Sequence, residues 1–287
     1  MTEQTRTTTP AAATHEAPRV VTRTGPGKFV SDTAAVFTRE ILLVLRDPFT
    51  LIFSLLQPLI FLGLFGPLLT GTFGGGFGGP SGAGGASTAD TLQWFVPGVI
   101  VMISLFGTSM TGSNLLYEIM TGSYERVLAT PLDRSSILVG RALKEFAPLL
   151  VQGLIIAAVC IPFGFRFHVL PALTGLVLLG VFGVGIGALS HALALASKGR
   201  EWLFWGVQQS LLFPLLILSG MMLPLEAGPS WMQTAAKFNP LTYMVDAERV
   251  LFGGTFADPA VLWGIVAAVA TCAVGLVVGI RATRRSV

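Results

Sequence analysis

The chain has 287 residues, 52% of them hydrophobic and 11% charged, with a formal net charge of +3 and a mean hydropathy of +0.73. A soluble domain carries roughly 25% charged residues, so this composition argues against a water-soluble enzyme. The pI near 9.1 does not signal nucleic acid, because the basic residues lie beside apolar stretches rather than in one patch, as topology signals and anionic-lipid contacts do.

Residues 1–27 are rich in Thr, Ala and Pro, lack the apolar run of a signal peptide, and read as a disordered cytoplasmic tail. Residues 28–48 read as a helix lying on the membrane. Val30, Ala34, Phe37, Ile41, Val44 and Leu45 recur at helical spacing, opposite a stripe of Asp32, Arg39 and Arg46 with Glu40 and Asp47 beside it. Asp47-Pro48 breaks this helix.

Six apolar stretches follow, at about 49–69, 94–116, 146–165, 169–197, 202–225 and 259–280. Each is long enough to cross a hydrocarbon core of about 30 Å. With six spans, Arg6, Arg19, Arg23, Lys28, Arg39, Arg46, Arg126, Arg134, Arg141, Lys144, Lys198, Arg200, Arg281, Arg284 and Arg285 share one side, and Arg166, Lys237 and Arg249 the other. The positive-inside rule puts the first side, with both termini, in the cytoplasm. All five Trp residues (Trp94, Trp202, Trp205, Trp231 and Trp263) sit near predicted interfaces, as an aromatic belt would. Cys160 and Cys272 fall inside spans, so no disulfide framework is implied.

Gly71–Gly85 has no helix or strand pattern and no Lys, and reads as a flexible external linker rather than a phosphate-binding loop. In the loop at 117–145, Tyr124, Val127 and Leu128 share one face of a short helix, with Glu125 and Arg126 alongside and Thr130-Pro131 as its end. Ser135 or Ser136 is placed to cap the next helix. This loop reads equally as a docking element for a partner and as a solvated connection. The external segment 224–258 is unusually apolar, and two helices, about Ser230–Phe238 and Pro240–Phe252, broken at Asn239-Pro240, are expected to dip back into the outer leaflet. Gly183 with Gly187, and Gly275 with Gly279, form pairs that let helices approach closely. Gln57, Asn114, Gln152, Gln208 and Gln209 lie in or near spans and either bond between helices or line a substrate path.

No catalytic or metal site is expected. No phosphate-loop motif occurs, the span cores hold no acid, Lys or Arg, and His15-Glu16 has no second His at zinc-protease spacing. Gly107-Thr108-Ser109 with His191 is a weak match to an intramembrane serine protease. The chain therefore reads as a membrane pathway without an engine of its own.

Three motifs occur in order: Phe95-Val96-Pro97-Gly98; Glu118, Gly122, Glu125, Arg126, Thr130, Pro131, Leu132 and Arg134; and Asn239-Pro240-Leu241-Thr242-Tyr243 with Asp246, Ala247 and Arg249. Together they resemble the signatures of ABC type-2 transporter permeases, close to the daunorubicin- and doxorubicin-resistance exporters, over about residues 28–285. The match departs at Ile119-Met120, where more polar residues are expected. The resemblance implies an all-α integral membrane fold, with residues 28–287 as the transmembrane domain in the cell membrane. It implies that two copies pair with two ABC ATPase subunits, which use ATP and Mg while this chain binds no cofactor. Residues 28–48 become the connecting helix. Glu118, Gly122, Glu125, Arg126, Thr130, Pro131, Leu132 and Arg134 become the coupling element, and Asn239, Pro240, Tyr243, Asp246 and Arg249 part of an external re-entrant gate. Gln57, Asn114, Gln208 and Gln209 are the substrate-path candidates. The expected cargo is a hydrophobic or amphipathic, drug-like compound moving outward; the alternatives are a lipid-linked glycan or lipid, an ion-coupled carrier, or an intramembrane enzyme.

Overall fold

A computed structural model describes residues 26–46, 48–72, 88–130, 132, 134–222, 225 and 228–285. Among these the fold is entirely helical: α1 (Pro26–Arg46), α2 (Pro48–Thr72), α3 (Thr88–Met120), α4 (Ser123–Leu128), α5 (Arg134–Lys144), α6 (Phe146–Cys160), α7 (Val169–Ala196), α8 (Glu201–Ile217), α9 (Ser230–Ala236), α10 (Pro240–Phe252) and α11 (Pro259–Arg285). Four stretches are long and apolar enough to cross a membrane: Ala89–Met120, Ser135–Phe163, Val169–Ala196 and Pro259–Arg285. The most apolar part of α3 is 78% buried and that of α11 only 22%, so α3 is the interior helix and α11 a peripheral one. The protein is thus an integral membrane protein. Its outward side chains, such as Val151, Val159, Val266 and Val277, are apolar because their surroundings are hydrocarbon.

The core is built where small residues let backbones touch. Any side chain on Gly275 of α11 would overlap the Gly185 backbone of α7. Gly112 of α3 lies against Ser190 of α7, its N–H donating to the Ser190 hydroxyl at 3.1 Å. Around these contacts pack Phe95, Ile100 and Leu105 of α3, Leu176, Leu179 and Phe182 of α7, Ile156 of α6, and Leu241, Met244 and Phe252 of α10. The close approach read from the sequence is present: Gly275 meets the Gly185 backbone, Gly279 lies against the Ala188 carbonyl and Gly183 against Thr108.

Several expected boundaries move for local reasons. The third stretch, expected at 146–165, is preceded directly by α5, so the apolar run Ser135–Phe163 is two helices, α5 and α6, separated by a turn at Glu145. Pro148 lacks an N–H and its ring opposes the Lys144 carbonyl four residues back. Helix α6 ends at Cys160, short of the expected 165, passes through a 3-10 turn at Ile161–Phe163 and closes at Gly164. The stretch at 202–225 holds a 17-residue helix that stops at Ile217, where the chain turns at Gly220 with φ 68°. Most of 117–145 is helical, and Ser135 and Ser136 lie inside the first turn of α5 rather than at its cap. There Ser136 donates to the Phe29 carbonyl at 3.2 Å and Ser135 accepts from Arg284 at 3.4 Å. Pro26 begins α1, so the tail reading applies to residues 1–25, and the Gly-rich linker reading to 73–85; both lie outside the described residues.

One face of α1 packs against protein, beside the apolar stripe expected to lie on the membrane. Val30 and Ala34 are exposed, while Val36 and Glu40 are buried and Phe29 and Thr33 half-buried. The packed face is offset by one residue, about 100° around the helix. Gly140 of α5 explains the offset: its missing side chain leaves room for Val36, and a Cβ there would stand 2.8 Å from the Val36 Cβ.

Candidate functional site

The segment 117–145 builds one end of the bundle. Helix α3 continues to Met120, and Gly122 turns the chain with φ 68°, a left-handed conformation that suits glycine. Helix α4 follows at once. Its Tyr124 is buried in a cluster with Leu115 and Leu116 of α3, Ala194 and Leu195 of α7, and Phe204 of α8. Val127 is half-buried, whereas Glu125 and Arg126 are exposed. The amide N–H groups of Ala129 and Thr130 close the helix on the Glu125 and Val127 carbonyls at 3.0 and 3.2 Å. Leu132 is half-buried; Pro131 and the Arg134 side chain lie outside the described residues. The expected short helix thus forms with its aromatic anchor inward and its charged pair outward.

Behind α4 lies a cluster of charges that binds three helices. Arg141 of α5 donates from Nη2 to Glu118 Oε2 of α3 at 2.6 Å, and its Nε lies 3.7 Å from Glu40 Oε1 of α1. Lys144 donates to Glu40 Oε2 at 3.0 Å. Burial alone raises the Glu40 carboxyl, but Lys144 and Arg141 overcome it and hold the group below the usual carboxylate range. Buried charges survive only when paired in this way. Of this cluster, only Glu118 was a candidate from the sequence. Arg141 and Lys144 read there as topology signals and Glu40 as part of a solvated face. The available signal was the spacing of three between Arg141 and Lys144, which puts both on one face of α5.

The opposite end is braced by α10. Asn239 caps it: Oδ1 accepts from the Leu241 N–H at 3.0 Å, while Nδ2 donates to the Leu215 carbonyl of α8 at 2.7 Å. Pro240 takes the first helical position, where a missing N–H costs nothing. Thr242 donates to the Leu218 carbonyl at 3.0 Å and the Tyr243 hydroxyl to the Lys237 carbonyl at 2.7 Å. Arg249 donates to the Trp94 carbonyl at 3.2 Å, to Gly220 at 2.8 Å and to Met221 at 3.3 Å. Its guanidinium lies 3.8 Å from the Trp94 ring centroid, and Asp246 Oδ1 stands 3.8 Å from Nη1. The motif Asn239–Arg249 therefore satisfies carbonyls that α8 leaves unpaired where it ends and ties them to the start of α3.

Glu248 went unnoticed in the sequence. It is fully buried, both carboxylate oxygens have no hydrogen-bond partner, and burial pushes its carboxyl up to about 8. Oε2 sits where any side chain on Gly175 of α7 would be. The signal was its position: four residues after Met244 and three after Val245, both buried, it falls on the inward face of α10.

The other candidates are scattered. Gln152 donates to the Ser54 hydroxyl of α2 at 2.7 Å, an interhelical bond. Gln57, Asn114 and Gln209 are exposed, and Gln208 is buried on α8. The His191 ring bonds the Gly187 carbonyl of its own helix at 3.1 Å and its Nε2 has no partner, so it does not serve as a base to Ser109. No group of three His, Cys, Asp or Glu converges among the described residues.

Comparison with known proteins bears on both ends at once. The sequence profile of the family described as ABC-2 type transporter matches residues 31–252. A daunorubicin resistance ABC transporter permease protein of Streptomyces coeruleorubidus is 30% identical over 228 residues, covering 79% of this chain and 76% of the relative. A putative transport permease of Cyanophora paradoxa is 30% identical over 229 residues, covering 78% and 75%. A probable doxorubicin resistance ABC transporter permease protein of Mycobacterium tuberculosis is 26% identical over 196 residues, covering 66% and 70%.

Proposed function

The chain belongs to the ABC-2 type transporter family, and on that premise we propose that it is the permease subunit of an ATP-driven exporter, paired with separate ATPase subunits that bind ATP and Mg. The observation that carries this reading is α4, anchored by buried Tyr124 while Glu125 and Arg126 project. A short helix fixed to the bundle by one aromatic and offering a charged pair is suited to seat in a groove of a partner. The charge cluster behind it links α4's supporting helix to α1, so a push on α4 is delivered to the connecting helix as well.

In this reading α2 and α8 complete six spans, both termini face the cytoplasm, and α9 and α10 form the external re-entrant gate. The segregation of Lys and Arg supports the orientation. Apolar side chains exposed on α2 and α8, among them Phe53, Ile60, Leu211 and Phe213, are available to lipid or to a second copy. The cargo is a hydrophobic or amphipathic, drug-like compound. The names of the daunorubicin- and doxorubicin-resistance relatives support this class, as does the scarcity of charge in the spans.

The test is ATP-dependent uptake of daunorubicin by inverted vesicles from cells making this chain with its ATPase. Uptake is expected to need both proteins and ATP, and to vanish in a Glu125→Ala/Arg126→Ala variant that still reaches the membrane. Uptake unaffected by that variant, or dissipated only by collapsing an ion gradient, would refute the coupling role.

A further inference from the structure

Two buried charged residues, Glu40 and Arg141, lie in the ion-pair cluster behind α4. Glu248 on α10 is buried without such company. It is 0% exposed, neither carboxylate oxygen has a hydrogen-bond partner, and Oε2 fills the slot left by the missing side chain of Gly175 on α7. An ionised carboxylate is not sustained in such surroundings, and burial pushes this carboxyl up to about 8. The charged and titratable side chains of the packed elements are committed elsewhere. On α10 itself, Asp246 and Arg249 stand together beside the Trp94 ring, and the Tyr243 hydroxyl donates to the Lys237 carbonyl. On α3, Asp90 is exposed in the first turn, while Tyr117 is exposed and Glu118 holds Arg141 near the other end. On α7, His191 bonds the Gly187 carbonyl, roughly four turns beyond Gly175. On α11, Cys272 is half-buried, and Arg281, Arg284 and Arg285 are exposed toward its end. None of these moves the Glu248 carboxyl, for which burial is the whole cause.

We propose that Glu248 is a proton-binding latch: its carboxyl keeps its proton while α10 is packed against α7 and gives it to water when α10 separates from α7, so that the pH of the water at that end of the bundle governs how readily α10 moves. The O–H bond breaks, the proton passes to water, and the hydrated carboxylate stays out until it takes a proton back. The geometry provides for such a motion. Asn239 enters α10 in extended backbone, with φ −87° and ψ 112°, and Gly253-Gly254 leave it, Gly254 with φ 91°. A few residues of this kind at the ends of an element are what a hinge uses. Helix α10 also meets glycine at two points, Glu248 on Gly175 and Ala247 on Gly264 of α11, so no side chain of α7 or α11 interlocks with it there. The sign follows from the direction of the shift. A carboxyl raised by packing contributes closed-state stability that is fully present below about pH 4.3 and is lost as pH rises to about 8. That α10 gates transport rests on the permease reading; the proton site does not.

The experiment is amide hydrogen exchange of the purified full chain in lipid nanodiscs, read by mass spectrometry at about pH 5.5 and about pH 7.5, inside the window of the shift. Each rate is divided by the intrinsic rate at its pH. In the wild-type chain, protection of residues 241–251 is expected to fall by about 10- to 70-fold from the lower pH to the higher, the upper figure being that of a fully hydrated carboxylate in the open state. At both pH values α10 is expected to exchange at least about tenfold faster than residues 176–192 of α7, the mark of a segment that opens by itself. Glu248→Gln, or Glu248→Met should the first variant not fold, is expected to show the same α10 protection at both pH values and to exceed wild type at the higher one. A wild-type change below about threefold would overturn the latch. So would a fall that persists in the variants, because His168, whose ring lies 3.3 Å from the Phe252 carbonyl, would then be its source. Equal exchange in α10 and α7 would overturn it too, since the proton would leave only when the whole bundle opens. The measurement needs neither ATPase nor cargo, so its failure leaves the permease reading standing, whereas absent daunorubicin uptake by the wild-type complex fails that reading alone.

Discussion

The cluster of Glu40, Glu118, Arg141 and Lys144 makes a prediction whose size follows from its geometry. The Glu40 and Arg141 side chains are 7% and 5% exposed, whereas Glu118 keeps 29%. Removing one partner of a buried ion pair costs about 3–5 kcal/mol, because the other charge is left uncompensated. In Arg141→Met the loss is smaller: Lys144 still holds Glu40 at 3.0 Å, and water reaches Glu118. The expected cost is about 2–3 kcal/mol. Glu40→Gln leaves Arg141 paired with Glu118 at 2.6 Å and is expected to cost about 1–2 kcal/mol, in line with the loss of a hydrogen bond to a charged group. At about 2–4 °C per kcal/mol for a domain of this size, Arg141→Met should lower Tm by roughly 5–10 °C. Because the two residues share one network, the double variant should lose less than the two singles together, by about 0.5 kcal/mol or more.

With the half-buried Cys272 replaced by Ser, Cys160 provides the readout. It is a free, buried thiol, so a fluorogenic thiol reagent reacts with it as the bundle opens. The pH dependence follows from the direction of the Glu40 shift. A carboxyl held below its unfolded value contributes stability that is fully present above about pH 4.3 and is lost as pH falls through its lower folded value. The wild-type chain should therefore lose this contribution only on acidification below pH 4.3, and Glu40→Gln should lack that component. An Arg141→Met protein melting within about 1 °C of wild type, or strictly additive variants, would refute the claim that these charges act as one unit.

Three further outcomes are expected. Gly275→Val places a branched side chain into the Gly185 backbone and should destabilise the fold by about 3 kcal/mol, seen as a lower Tm and aggregation on size exclusion. Arg249→Lys keeps the charge but cannot reproduce the fork onto Trp94, Gly220 and Met221; it should lower Tm by several degrees and nearly match Arg249→Ala, whereas rescue by Lys would show that charge alone matters. Glu248→Gln should flatten part of the pH profile. The folded carboxyl stays protonated to about 8 while the unfolded one ionises above about 4.3. Wild-type stability therefore falls as pH rises between these values, and the variant should melt higher than wild type at pH 8 but not at pH 4.5.

Membrane class, helical content and the short helices α4 and α10 were legible because each rests on local chemistry: apolar run length, a Pro-bounded turn, an Asn-Pro cap. The parts that were not legible depend on tertiary partners. The protein-facing side of α1 was not legible because an amphipathic pattern says where apolar side chains cluster, not that Gly140 leaves a slot for Val36 or that Arg141 makes the inward Glu40 tolerable. The end of α8 was set too late because apolarity continues through Leu225, while the helix stops where Gly220 turns the chain. Glu248 escaped because its burial is permitted only by Gly175 of α7, more than seventy residues away in sequence. Of the four substrate-path candidates, composition did not separate buried Gln208 from exposed Gln57, Asn114 and Gln209; only the packing of α8 against α3 and α7 does.

Both signature motifs are fastened to the same helix. Glu118 near the end of α3 takes Arg141, and Trp94 near its start takes Arg249. Between them α3 runs as one interior helix, 33 residues in all, about 50 Å at 1.5 Å per residue. Its one internal proline, Pro97, lies three residues from Trp94, so the place where α3 most readily bends is beside the α10 brace rather than midway. A displacement applied to α4 would travel along α3 as far as Pro97, whose missing N–H interrupts the hydrogen-bond ladder, and cross that flexible point to reach the far end of the bundle. It is delivered there to Arg249, whose ring stacking and three carbonyl bonds join α3 to both α8 and α10.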